Sequence, residues 1–185
     1  MSEPTLLLSL LLFVAVALGV AIFGRRAGRI LGETREAESF RTAIADIAAR
    51  AETSLGGVSE RIDVLRRHKA SPTEVGPNLA AALDAVARYT NEARALRPPP
   101  AFDPLRLALV DDLDRAARAL ELVSHGCAIL ATARPRSAEL EAQTSVKRGY
   151  LNVLHARESV AQHAAAASAA RLPNEVRSLL RRPAG

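Results

Sequence analysis

The chain has 185 residues, 25 basic against 20 acidic side chains, a single cysteine and no tryptophan. One cysteine excludes a disulfide scaffold and a cysteine-type zinc site. Once the first thirty residues are set aside, the length suits one ordinary domain that can bury its own core. Helix formers dominate and aromatic residues make up 3%, so the composition predicts an all-α protein.

The net charge of +5 is confined to the two ends of the chain. Residues 30–170 carry 18 basic and 18 acidic side chains and are formally neutral. A nucleic-acid-binding domain concentrates positive charge on its folded surface. The distribution therefore argues against nucleic acid as a partner.

Residues 5–24 form a run of 20 residues without a charged side chain. As a helix this run spans about 30 Å, which matches the hydrocarbon thickness of a bilayer. A cleaved signal peptide is the alternative, but it would carry basic residues before a shorter apolar stretch. We therefore predict a retained N-terminal transmembrane helix and the lipid bilayer as a partner.

Three arginines follow this segment at once, namely Arg25, Arg26 and Arg29, and no basic residue precedes it. Basic flanks stay in the cytoplasm. The prediction is a single-pass protein of the cell membrane with the bulk of the chain in the cytoplasm. In the alternative, these arginines bind headgroups of the opposite leaflet.

Gly24, Gly28 and Gly32 recur every four residues and share one helix face. Such spacing permits two membrane helices to pack closely. The glycines lie among arginines at the predicted membrane exit, however, so a juxtamembrane hinge is the preferred interpretation. A homodimer formed through the anchor is the alternative.

Apolar residues separated by threes and fours predict the first helix of the domain over residues 33–69. Its predicted buried stripe is Phe40, Ile44, Ile47, Ala51, Leu55, Val58, Ile62 and Leu65. Because each glycine costs up to about 1 kcal/mol in a helix, the pair Gly56 and Gly57 predicts a kink or break.

Prolines divide the rest of the chain. Ser71-Pro72 and Gly76-Pro77 predict a turn before a second helix over residues 78–97. Asp103 is the predicted N-cap of a third helix with near-heptad, coiled-coil-like spacing up to Leu130. A fourth helix is predicted over residues 137–171.

Each predicted helix has only one narrow apolar stripe, and short connections make neighbouring helices antiparallel. The expected fold is an elongated antiparallel four-helix bundle over residues 33–171. Residues 1–32 form the anchor and juxtamembrane segment, and residues 172–185 a short basic tail. The four helices are predicted to run alternately away from and toward the membrane, so the tail should end near the bilayer. There Arg177, Arg181 and Arg182 would contact anionic lipid. A solvated tail is the alternative.

No catalytic, cofactor or metal site is predicted. None of the histidines lies in a Glu-x-x-His motif, which bundle di-iron sites require. Cys127 falls on the apolar stripe of the third helix and is expected to be buried. Lys147 and Arg157 border the fourth stripe and are expected to reach solvent; in the alternative, one of them faces a cleft and pairs with a carboxylate such as Asp112.

A membrane-tethered four-helix domain resembles, in architecture alone, the ligand-binding bundles of bacterial chemoreceptors and sensor proteins. No motif carries this resemblance, and those sensors signal through a second membrane helix that this sequence lacks. The sequence therefore predicts a non-enzymatic helical bundle that scaffolds or binds an unknown protein partner at the membrane. A sensor-like ligand-binding bundle is the alternative, and it requires a cleft with inward polar groups.

Overall fold

The computed structural model describes residues 3–132 and 136–171. For residues 3–31 and 136 it describes the backbone alone, with the side chain of Leu18 as the exception. This part of the chain is helical and contains no strand. Its elements are α1 (Glu3–Arg66), α2 (Pro72–Ala95), a 3-10 turn (Pro100–Phe102), α3 (Asp103–Thr132) and α4 (Arg136–Ala169). The predicted all-α class is confirmed.

Contacts divide the chain into two compact units. One is Ser39–Ala170, which holds the four packed helices. The other includes the part of α1 up to Glu38. The bundle described below is the first of these units.

Side chains of α1 bind α2 in an antiparallel sense. Arg50 donates to both carboxylate oxygens of Glu92, at 3.2 and 2.5 Å. Four residues later on α1, the Ser54 hydroxyl lies 3.0 Å from that of Tyr89, three residues earlier on α2. Residue numbers rise on one helix as they fall on the other, so the two helices run in opposite directions.

The same relation holds between α1 and α4. The Arg41 guanidinium donates to the Ala170 carbonyl at 2.7 Å, just past the end of α4. Arg157, earlier on α4, donates to Glu52, later on α1, at 3.0 Å. A cation at the carboxyl end of a helix also suits the helix dipole. These contacts close a helical bundle in which α1 has α2 on one flank and α4 on the other.

The core confirms the predicted apolar stripes of the first and third helices of the domain. Every stripe residue assigned to the first domain helix is at most 5% exposed, and those of α3 are buried from Leu109 to Cys127. The most deeply buried large side chains are Phe102, Ile44, Leu55, Ile62, Leu79, Leu109, Leu113 and Leu120. Burial of these apolar surfaces is the main force that holds the helices together.

Two glycines bring α3 and α4 into backbone contact. A Cβ atom on Gly149 would lie 2.5 Å from a methyl of Val123 and 2.8 Å from the Ala119 carbonyl oxygen. A Cβ atom on Gly126 would lie 2.8 Å from Val146. All three distances are shorter than van der Waals contact allows. The close approach of these helices therefore requires glycine at both positions.

The predicted start of α2 is wrong by six residues. The helix begins at Pro72, with Ser71 as its N-cap, and Gly76 and Pro77 lie inside it. The Ser71 hydroxyl accepts from the Glu74 amide at 3.3 Å, while the Glu74 carboxylate accepts from the Ser71 amide at 3.1 Å. This capping box supplies partners for amides at the helix start that lack an intrahelical one.

Two further sequence expectations fail locally. α1 continues through Gly56 and Gly57 without a break, because the apolar stripe on both sides holds the helix against its neighbours. Asp103 does not act as an N-cap: its backbone is helical, and its carboxylate accepts from Arg106 at 2.8 Å. The 3-10 turn leads directly into α3, so no separate N-cap residue stands between the two.

Within the described residues, no helix combines the length and apolarity needed to cross a bilayer. The side chains of the predicted transmembrane segment, residues 5–24, lie outside the described set apart from Leu18. The predicted basic tail, residues 172–185, lies outside it altogether. Both assignments stay predictions.

Candidate functional site

A cavity of about 370 Å³ lies where the end of α1 and its following turn meet the end of α3 and the start of α4. We call it the end cavity. Its apolar wall is formed by Leu65, Leu130 and Val146, with Ala70 from the turn and Pro72 from the start of α2. Leu130, the last residue of the predicted α3 stripe, is only partly buried because it faces this space.

The polar lining of the end cavity comes from α1, the turn and α4. Arg66, His68 and Lys147 bring basic groups, and Glu139 and Gln143 complete the lining. Gln143 donates to the Glu139 carboxylate at 3.2 Å, so the single acidic side chain of the lining already has a partner. The lining combines apolar walls with a few polar groups, as small-molecule sites do.

His68 has an unusual backbone conformation at the edge of this cavity. Its φ of 55° is positive, which among the described non-glycine residues is found at this position alone. The His68 amide donates to the Leu65 carbonyl at 2.9 Å, and the Lys69 amide to the Val64 carbonyl at 3.0 Å. This is the Schellman pattern of a helix end, in which the left-handed residue is usually glycine.

Arg66 is held in place at the cavity wall by two neighbours. Its guanidinium lies 4.5 Å from the centre of the Tyr150 ring and 3.2 Å from the Asp63 carboxylate. Stacking and an ion pair together restrict a side chain that would otherwise move freely. The positive charge of Arg66 therefore has a fixed position.

Asp112 is a buried carboxylate away from this cavity. Its side chain is 8% exposed; one oxygen lies 2.7 Å from Nε2 of His163 on α4, and the other 2.5 Å from Arg115. A buried carboxylate needs such partners to offset its loss of hydration. The arrangement satisfies both oxygens and links α3 to α4.

Arg50 forms a polar link between α1 and α2. Besides its two bonds to Glu92, its guanidinium lies 5.1 Å from the centre of the Tyr89 ring. The hydrogen bond from Arg50, assisted by its charge and that of Arg88, lowers the pKa of the Glu92 carboxyl. In return, the hydrogen bond to Glu92 raises the already high pKa of Arg50.

The membrane-flanking residues predicted from the sequence fall outside what the structure describes. The side chains of Arg25, Arg26 and Arg29 are not described, and neither is any part of Arg177, Arg181 and Arg182. Their predicted role at the membrane stays a prediction.

The other candidate residues have defined places. Cys127 is buried, as expected, and burial raises the pKa of its thiol. Arg157 pairs with Glu52 rather than with Asp112, whereas Lys147 lines the end cavity. Among the described residues, no group of three or more His, Cys, Asp or Glu side chains could hold a metal ion.

The features that sequence reasoning missed include the pairing of Asp112 with His163 and the capping box of α2. The pairing of Asp112 with His163 joins residues 51 positions apart, and no local pattern announces it. The capping box, in contrast, does have a sequence signal. This signal is the Ser-x-x-Glu spacing that begins at Ser71, together with Pro72 directly after the cap, where proline is favoured as the first residue of a helix.

Comparison of the chain with models of protein families, with curated proteins and with solved structures finds no match.

Proposed function

We propose that this protein is a membrane-anchored, non-enzymatic helical bundle that serves as a protein-interaction or scaffolding module. The support for the anchor is the run of 20 uncharged residues at positions 5–24, followed at once by arginines. The support for a binding role is the surface of α4. There, two exposed leucines lie on the side of the helix that faces away from the core.

These leucines are Leu140 and Leu151, with exposed fractions of 59% and 46%. They are eleven residues apart, which is three helical turns, so they share one face. The buried residues Ala142 and Val153 follow each of them by two positions and point to the opposite side. Exposed leucines on one face are the kind of anchor that a helical partner protein covers.

The interaction role is tested by proximity labelling from the full-length protein in cells. The double variant Leu140→Gln with Leu151→Gln should lose labelled neighbours that the unchanged protein has. Leu107→Gln, at an equally exposed leucine on α3, is the matched control and should keep them. An identical set of neighbours for all three proteins would contradict the role of this face.

The anchor is tested by washing membranes with carbonate. Full-length protein should stay in the membrane fraction, and protein that lacks residues 1–24 should be released. Labelling of cysteines introduced near residue 36 should be blocked by the intact membrane if the bundle is cytoplasmic. Release of the full-length protein by carbonate would overturn the anchor.

The end cavity favours a second function, that of a sensor-like ligand-binding bundle. Its volume lies within the range of about 300–1,000 Å³ that small-molecule sites occupy. Its lining combines apolar side chains with charged ones. The test is the melting temperature of the full-length protein in a panel of anionic, neutral and cationic small molecules. Ala70→Phe, which narrows the cavity, should abolish any stabilisation; a panel without a single stabilising compound would refute this function.

A further inference from the structure

The charge of the end cavity indicates which class of ligand it would accept. Two of its lining residues, Arg66 and Lys147, carry formal positive charge at pH 7, and Glu139 is the acidic residue of the lining. Glu139 already accepts a hydrogen bond from Gln143. Arg66 is engaged by Asp63, but a guanidinium has five N–H donors and keeps others available.

Lys147 differs from several arginines of this bundle in its pairing. Arg50, Arg66, Arg94, Arg115 and Arg157 each form an ion pair with a carboxylate. Within the described part of the chain, no carboxylate pairs with Lys147. An ammonium that lines a cavity and has no protein counterion leaves an anion-binding position open.

Lysine is also rare in this sequence, which contains two lysines and 23 arginines. Both lysines lie at this end of the bundle. Lys147 lines the end cavity, and Lys69 stands between the lining residues His68 and Ala70. The ammonium is a compact charge on a flexible stem, so it can follow a ligand of variable position.

We propose that the end cavity binds a small organic carboxylate with an apolar body. Lys147 and Arg66 would bind the carboxylate, and Leu65, Leu130 and Val146 would contact the apolar body. This inference rests on the second proposed function and names its ligand class.

The test uses three probes that share one ring system and differ in charge: 2-naphthoate, 2-naphthalenemethanol and 2-naphthylmethylammonium. Because the chain has no tryptophan, it adds little fluorescence of its own to that of naphthalene, and the nanodisc blank accounts for the scaffold protein. The full-length protein is titrated in lipid nanodiscs, with empty nanodiscs as the blank. Naphthoate should bind at least about tenfold more tightly than the alcohol, as expected for a charge-assisted contact.

Two adjacent cations of α4 provide a matched pair of variants. Lys147→Gln should weaken naphthoate binding about tenfold, whereas Arg148→Gln should change it less than about twofold. Both positions are exposed, so neither variant disturbs the core. Ala70→Phe keeps every charge and should reduce the binding of naphthoate by filling the space. Far-UV circular dichroism confirms that each variant is folded.

The outcomes separate this inference from the function on which it rests. If the alcohol or the ammonium probe binds as well as naphthoate, and Ala70→Phe abolishes that binding, the carboxylate specificity is wrong while ligand binding stands. Equal losses in Lys147→Gln and Arg148→Gln would overturn the assigned position of the anion. If none of the probes binds above the nanodisc blank, the inference is overturned.

Discussion

Glycine plays two opposite roles in the helices of this protein. At Gly126 and Gly149 a methyl group would overlap atoms of the neighbouring helix. At Gly57 and Gly76 nothing lies within 4 Å of the added carbon. The first pair permits close packing, whereas the second pair lowers helix stability without any packing in return.

The same substitution should therefore have opposite effects at two positions. Gly149→Ala should destabilise the bundle by about 1–3 kcal/mol, because the helices must separate or a side chain must leave its rotamer. Gly57→Ala should stabilise it by about 0.5–1 kcal/mol through helix propensity. Urea unfolding followed by far-UV circular dichroism measures both. Equal effects of the two variants would show that α3 and α4 do not pack through Gly149.

His68 offers a second prediction at this scale. A left-handed conformation costs a residue with a side chain about 1–2 kcal/mol, a cost that glycine avoids. We expect His68→Gly to raise the free energy of unfolding by about 1 kcal/mol, after glycine's own entropy is deducted. Lys69→Gly, at the next residue with negative φ, should not stabilise the protein. A loss of stability in His68→Gly would mean that the imidazole makes a contact that outweighs the backbone strain.

Among the elements, α2 shows why boundaries are harder to predict than cores. Gly76 and Pro77 favour a turn when taken alone, because proline lacks an amide hydrogen and crowds the preceding turn. Pro77 is the sixth residue of α2, so the bond it removes is the one to Thr73, in the first turn. The capping box and the burial of Val75 and Leu79 outweigh that single loss.

The capping box is directly testable. Ser71→Ala removes the hydroxyl that accepts from the Glu74 amide and should cost about 1 kcal/mol. Ser124→Ala, at an exposed position within α3, is the control and should be neutral or slightly stabilising because alanine favours helix. The free energy of unfolding in urea measures both changes. If Ser71→Ala is as stable as the control, the capping box adds nothing measurable to the stability of α2, which then comes from packing alone.

For the whole molecule, polar links between helices make stability depend on pH. The Arg50 hydrogen bond lowers the pKa of Glu92 in the folded protein. A carboxyl with a lowered folded pKa stabilises the native state fully above its unfolded pKa, about 4.3 for glutamate. That stabilisation is lost as the pH falls through the lower, folded value.

We expect Glu92→Gln to be less stable than the unchanged protein at pH 7 and equally stable once Glu92 is protonated. Both side chains are about 40% exposed, so the difference at pH 7 should not exceed about 1 kcal/mol. Urea unfolding at pH 7 and at pH 3 measures it. Glu121→Gln, at an exposed glutamate of α3, is the control and should show a smaller change between the two values. A difference that grows toward low pH would have the wrong sign for this pair.

The bundle was predictable from the sequence, whereas the end cavity was not. Stripes of apolar residues are local patterns, so residues such as Ile44 and Leu113 could be assigned to the core from spacing alone. The cavity is lined by the segments 65–72, 130 and 139–147, which only the fold brings together. The close contact at Gly149 was missed for the same reason: it depends on Val123, which lies on another helix.

The two tyrosines of the sequence report on different parts of the molecule. Tyr89 lies beneath Arg50 where α1 meets α2, and Tyr150 beneath Arg66 where α1 meets α4. Since no tryptophan contributes, the near-ultraviolet absorption of each tyrosine ring is an intrinsic probe of one interface between two helices. Each single Tyr→Phe variant leaves one tyrosine, so the two variants together would show whether both helix interfaces open at once during unfolding or one before the other, without any added dye.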